Sequence, residues 1–347
     1  MGLSAILIAA IAAFAWPRRN NLELTLALEN RSLSKIAYFI AWDQGLFEKH
    51  GLNIELLMPA PGAERGITAV DHLGWWTRLK RRLGREKREV DIFTQGGTPM
   101  MLNAIQKSEA RHRINIGSTD CTVRTHFIGR KGLQINSLQD LKGMRLGASA
   151  RISTTGFPVF LLAKRLGWDP SRDFTFVDLR DEGFEELDAG EADAISVNEG
   201  AYSFAIDNGY PILFDTAEWN EELAGNSLSV SPEWLESAEK REAARRLLST
   251  IAEAISLYHK DRDVALRSME KWNGMSKETA ERIYKRGAWL PHKPYPCYAG
   301  YRNTLELYDS PDVRRHKPEE FYDDSIVRQI DATGYFDSLY PKSQNPS

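Results

Sequence analysis

Four short groups of hydroxyl, amide and glycine residues carry the chemistry of this chain: Asn30 with Ser32, Gly97 with Thr98, Ser153 with Thr154 and Thr155, and Asn198 with Glu199. Each falls where a strand would hand over to a helix. Hydroxyls and backbone N–H groups at such a handover suit an oxyanion or carboxylate, because the helix dipole favours negative charge there. A plain helix cap explains any one Ser or Thr equally well, so the reading rests on the groups coming in facing pairs. Glu199 stands apart. A carboxylate among donors repels a simple anion unless Arg124 or Arg151 neutralises it. Left unpaired, it selects a ligand with N–H donors such as an amine, an amide or an aminopyrimidine; paired with an arginine, it is structural. The sequence leaves both open. Trp42 and Tyr202 are able to stack on a ring, although the core or a lobe surface suits them better.

Catalytic chemistry has little support. His50, His72, His112, His126, His259, His292 and His316 are scattered, with neither the order of a Ser-His-Asp triad nor the spacing of metal ligands. Lys35, beside the first loop, is the one lysine to nominate for a Schiff base, and a solvated helix lysine is the expected state. No catalytic residue, metal or cofactor is therefore assigned. Cys121 and Cys297 lack metal spacing and scaffold density; they read as free buried thiols, with a single disulfide as the alternative. A net charge of -3 implies no nucleic-acid partner.

The elements that must position these groups follow from periodicity. In residues 22–29 Leu22, Leu24, Leu26 and Leu28 alternate with Glu23, Thr25, Ala27 and Glu29, the period of a strand with unequal faces. After a break at 30–34, Leu33, Ile36, Ala37, Ile40 and Ala41 recur at helical spacing up to Gly45, and Leu52, Ile54 and Leu56 alternate again. A strand-helix-strand unit of this length predicts a parallel pair with a right-handed crossover, which puts the 30–34 loop at the carboxyl end of a strand, where open sheets bind ligands. The order recurs further on. Strands are expected at 90–94, 114–118, 144–147, 174–179, 192–197, 212–215 and 228–230, with helices at 100–106 and 157–166. The strand at 192–197 delivers Asn198 and Glu199 as the strand at 90–94 delivers residues 96–99. Two matching lobes suggest a cleft between equivalent loops. From 232 onward the chain reads as packing helices.

Two stretches break the pattern. Residues 3–15 form an unbroken apolar and small-residue run with a small-x-small site at Ala13, Phe14 and Ala15, as in a secretory signal. No Lys or Arg precedes the run, and Arg18 and Arg19 follow it, so retention as a short anchor is the alternative. Residues 72–88 hold Trp75, Trp76 and many basic side chains; a surface helix packed on its lobe is expected, and a membrane or partner contact is the second reading.

The segment 36–56, IAYFIAWDQGLFEKHGLNIEL, resembles the opening of the nitrate/sulfonate/taurine-type ABC-transporter substrate-binding proteins, which share a superfamily with thiamine-pyrimidine synthases. SLQDLKGMRLG at 137–147, AGEADA at 189–194, and YDDSIVR with GYFD at 322–337 are similar to later segments of that family. The resemblance implies an α/β, two-lobed venus flytrap of the periplasmic-binding-protein type 2 class, with two hinge crossings and closure on a small molecule. With the apolar run giving a leader or anchor at 1–15, the expected division is a first lobe of 20–123 plus 226–347 and a second lobe of 124–225. The expected function is delivery of a small organic anion or nitrogen-containing solute to a membrane permease, by an exported, monomeric, non-enzymatic protein. The alternative is an enzyme on the same fold in pyrimidine synthesis, where eukaryotic relatives carry a Cys-rich motif and a pyridoxal cofactor on a lysine; this chain has no Cys cluster.

Overall fold

The computed structural model describes residues 21–59, 67–71, 90–106, 113–180, 182–286 and 290–341. The apolar run at 3–15 and the basic stretch at 72–88 lie outside them.

The first alternating segment is strand β1 (Leu22–Leu28), which pairs in parallel with β2 (Leu52–Pro59) from Leu22 opposite Leu52 to Ala27 opposite Leu57. Its alternation does not divide core from solvent. All five residues from Leu24 to Leu28 are buried, Thr25 included, because β1 lies inside its sheet with neighbours on both edges. Such strands bury both faces. Between β1 and β2 runs α1 (Ile36–Asp43), and Gly45 at φ +64° turns the chain into α2 (Leu46–Lys49).

Three more strands and the returning chain complete the first sheet: β3 (Ile67–Asp71), β4 (Ile92–Gly96), β5 (Ile114–Ser118) and β11 (Asn226–Val230), in the order β3-β2-β1-β4-β11-β5 among the described residues. β4 is parallel to β1, and β11 is antiparallel to both its neighbours. The chain passes from β4 straight into α3 (Gly97–Gln106), without the loop expected there.

The second sheet holds β6 (His126–Gly129), β7 (Arg145–Ala148), β8 (Thr175–Asp178), β9 (Ala194–Val197) and β10 (Ile212–Asp215), ordered β10-β6-β9-β7-β8. Its helices are α4 (Gly156–Leu166), α5 (Phe184–Asp188) and α6 (Glu199–Asp207). The larger core lies under the first sheet. There α7 (Ala238–Lys260) and α8 (Arg262–Asn273) pack on α1, and α9 (Lys277–Lys285) packs on α8. Ser237, Asp261 and Ser276 cap the three with side-chain oxygens.

The two crossings between the sheets run side by side. Val123 N donates to Glu221 O and Leu223 N to Cys121 O, both at 3.0 Å. Gly225 fits here because a Cβ would lie 2.4 Å from the Asp120 carbonyl. A third element also bridges the lobes: α10 (Tyr298–Leu307) packs on both α3 and α4, and the adjoining Tyr308 donates to Arg151 O at 2.7 Å. Cys297 at its start is disulfide-bonded to Cys121 in the first crossing. The free-thiol expectation is thus corrected: the hinge and α10 bring together two cysteines 176 residues apart, a proximity that spacing along the chain does not show. The chain ends in α11 (Ser325–Ala332) and α12 (Tyr335–Ser338). Among the described residues no helix is long and apolar enough to cross a membrane.

Candidate functional site

A cavity of about 660 Å³ lies between the lobes at the carboxyl ends of β1, β4, β7 and β9. The first lobe contributes the turn after β1. Asn30 Oδ1 accepts from Ser32 N at 3.0 Å, and the Ser32 and Ser34 hydroxyls meet at 2.9 Å, so the loop is shaped by its own side chains. From the second lobe come residues 149–155. Ser153 Oγ accepts from Gly156 N at 2.9 Å in the turn that leads into α4, while Thr155 Oγ1 meets the Ser149 and Ser153 hydroxyls at 2.9 and 3.1 Å. Asn198 caps α6 through Oδ1, accepting from Gly200 N and Ala201 N.

Of the residues expected from sequence, Asn30, Ser32, Ser153, Thr154, Thr155, Asn198 and Glu199 all line this cavity. Gly97 and Thr98 do not. Their N–H groups donate to Gly225 O and Ala224 O at 2.6 and 2.8 Å, and buried Thr98 Oγ1 meets Thr304 Oγ1 at 3.0 Å. The helix start that would face a ligand is taken up by the hinge, and Gly96, Pro99 and Asn103 line the cavity in its place. At Gly96 the lobes come close: a Cβ there would lie 3.0 Å from Thr154 Cγ2.

Lys35 overturns its expectation as a solvated lysine. Only 2% exposed, it stands at the start of α1 and donates from Nζ to Thr94 O and Asn226 Oδ1. The apolar spacing of α1 showed its buried face but not that the turn before it points inward. Burial pushes the Lys35 ammonium down to about 7, against the pull of Glu29 and Asp120. Asp120, also in the cavity wall, is pushed up to about 6 by desolvation, against the Thr122 N–H, Arg124 and Lys35.

Glu199 is paired: the charge of Arg124, considered from sequence, acts on it, and its nearest partners are two that the sequence did not suggest. His126 Nε2 lies 2.8 Å from its Oε2, and Arg286 Nε 3.0 Å from its Oε1. Burial alone would raise its pKa; the His126 hydrogen bond and nearby positive charge bring it below the usual carboxylate value. Tyr202 stacks on His126 with ring centroids 3.9 Å apart rather than standing free for a ligand. Trp42 is half-buried against the first core. The residues that sequence reasoning missed, Asp120, Thr125, Ser196 and Asn226, sit on the crossings and strand ends rather than at helix starts. Among the described residues no cluster of His, Cys, Asp and Glu is arranged to hold a metal.

Known structures align with this fold over most of its length. The chain has the periplasmic-binding-protein fold. The aliphatic sulphonate binding protein SsuA from Escherichia coli aligns over 88% of this chain and 91% of its own, with a TM-score of 0.61 and 16% identity. The nitrate-binding protein NrtA from Synechocystis PCC 6803 aligns over 92% and 91%, with a TM-score of 0.64 and 12% identity. The desulfurization enzyme DSZB aligns over 90% and 99%, with a TM-score of 0.58 and 15% identity. At these identities the likeness establishes the fold, which thus serves binding proteins and at least one enzyme. No family model matches the chain, and no curated protein matches it in sequence.

Proposed function

We propose that this chain is the extracytoplasmic solute-binding component of an ABC importer, holding a small organic molecule between its lobes and delivering it to a permease. The observation that carries the reading is the interlobe cavity, lined from both sides by hydrogen-bonding groups and backed by paired hinge strands. Its volume falls in the range of organic ligands and exceeds what a bare inorganic anion fills. Lys35 and Arg124 share its wall with Glu29, Asp120 and Glu182. That mixture suits a solute bearing N–H donors as well as acceptors, within the sulfonate, taurine or pyrimidine classes. The disulfide supports export, since such bonds persist in oxidising compartments.

Native mass spectrometry of the purified chain, looking for a co-purified small molecule, tests this reading. A bound organic solute of constant mass supports it; a mixture of substrate and converted product would contradict it. One observation favours an enzyme instead: Lys35 is an amine close to neutrality in the cavity wall. Borohydride trapping with an added aldehyde would then leave an adduct on Lys35, and an unmodified Lys35 removes that reading.

A further inference from the structure

Glu199 belongs to the second lobe, where it opens α6 and faces the cavity. Arg286 belongs to the first: it follows α9, whose neighbour α8 packs on α1, and Tyr284 just before it packs in the first core. The guanidinium nevertheless reaches across the cleft. It lies 3.0 Å from Glu199 through Nε, pairs with Asp215 through Nη2, donates to the Tyr202 hydroxyl at 3.2 Å, and stands over the Tyr202 ring at 4.8 Å. All three partners belong to the second lobe. One planar cation thus meets two carboxylates and an aromatic face, a combination that guanidinium geometry allows and an ammonium does not. A neighbouring contact of the same hand, Arg282 with Asp207 at 3.4 Å, lies farther out.

We propose that Arg286 is an interlobe clasp that ties closure of the cleft to the charge of the cavity carboxylate Glu199. The proposal rests on the binding-protein reading and deepens it. When the lobes are together, Glu199 is neutralised from the first lobe and the cavity tolerates an acidic group on the solute. When they part, Glu199 keeps His126 and the charge of Arg124 but loses Arg286, and the cavity becomes more negative, which disfavours retention of an acidic solute. Closure and affinity then change in one movement. The physical requirement is that breaking the clasp leaves buried Glu199 and part-exposed Asp215 without the Arg286 guanidinium they share.

The test needs no ligand. Nitroxide labels on cysteines introduced at exposed Gln44 in the first lobe and Glu185 in the second report the interlobe distance by double electron–electron resonance, the native cysteines being disulfide-bonded. Arg286→Gln is expected to move most of the distribution to longer separations, and Glu199→Gln to move it in the same direction. Lys285→Gln, the loss of one charge at an exposed neighbour, is expected to leave it in place. If Arg286→Gln does not fold, Glu199→Gln decides. Unchanged distributions in the folded variants, or an equal shift in Lys285→Gln, would overturn the clasp. Failure of every solute to bind the wild type would instead overturn the binding-protein reading, leaving the distance result intact.

Discussion

At the residue scale, the hydroxyls legible in the sequence separate into two kinds once their partners are known. Thr155 stands in the cavity wall with its oxygen shared between two other hydroxyls, whereas Thr98 is buried against Thr304. Thr155→Ala should therefore weaken solute binding by about 1–3 kcal/mol with little change in folding stability, and Thr98→Ala should lower stability by about 1 kcal/mol with affinity kept. Calorimetric titration with denaturant unfolding checks the pair; reversed effects would mean that the cavity wall is misassigned. Lys35 makes a pH prediction. Its native pKa of about 7 lies below the ordinary value of 10.5, so between these limits the unfolded chain binds the extra proton. Its contribution to stability is thus present at high pH and lost as pH falls toward 7. The melting temperature of the wild type relative to Lys35→Met should rise from pH 7 to pH 10, and parallel curves would contradict the burial argument. Residue types announced Asn30, Ser153 and Glu199 because caps and turn residues mark chain reversals. They were silent about Asp120 and pointed to a solvated Lys35, because the burial of both comes from segments distant in sequence.

At the element scale, the parallel β1–β2 unit and the helices of the later half follow from apolar periodicity and from caps such as Asp261 and Ser276. The hinge does not. Its two crossings are short and hydrogen-bonded to each other, a pairing of segments distant in sequence that no local pattern announces. Gly225 and the disulfide are its most exposed dependencies. Gly225→Ala would push a methyl group into the Asp120 carbonyl and should cost about 1–3 kcal/mol, read as a shifted denaturation midpoint. The Cys121–Cys297 bond closes a loop of 176 residues in separation. Replacing both cysteines by serine should cost about 2–4 kcal/mol, and an unchanged midpoint would show that α10 holds the hinge without it.

At the scale of the whole molecule, the lobe repeat was readable because each lobe uses the same order of strand, helix and loop. The sign of the cleft was not readable. It depends on Arg286 crossing from one lobe to the other, a contact 87 residues along the chain from Glu199. The central claim is that a solute is held between the lobes and released intact. It is tested most directly by isothermal titration with sulfonates, taurine, aromatic carboxylates and aminopyrimidines, recovering each solute afterwards for mass analysis. The account predicts saturable one-to-one binding of one chemical class, with that solute recovered unchanged. Recovery of a converted product, or saturation by no class, would contradict it.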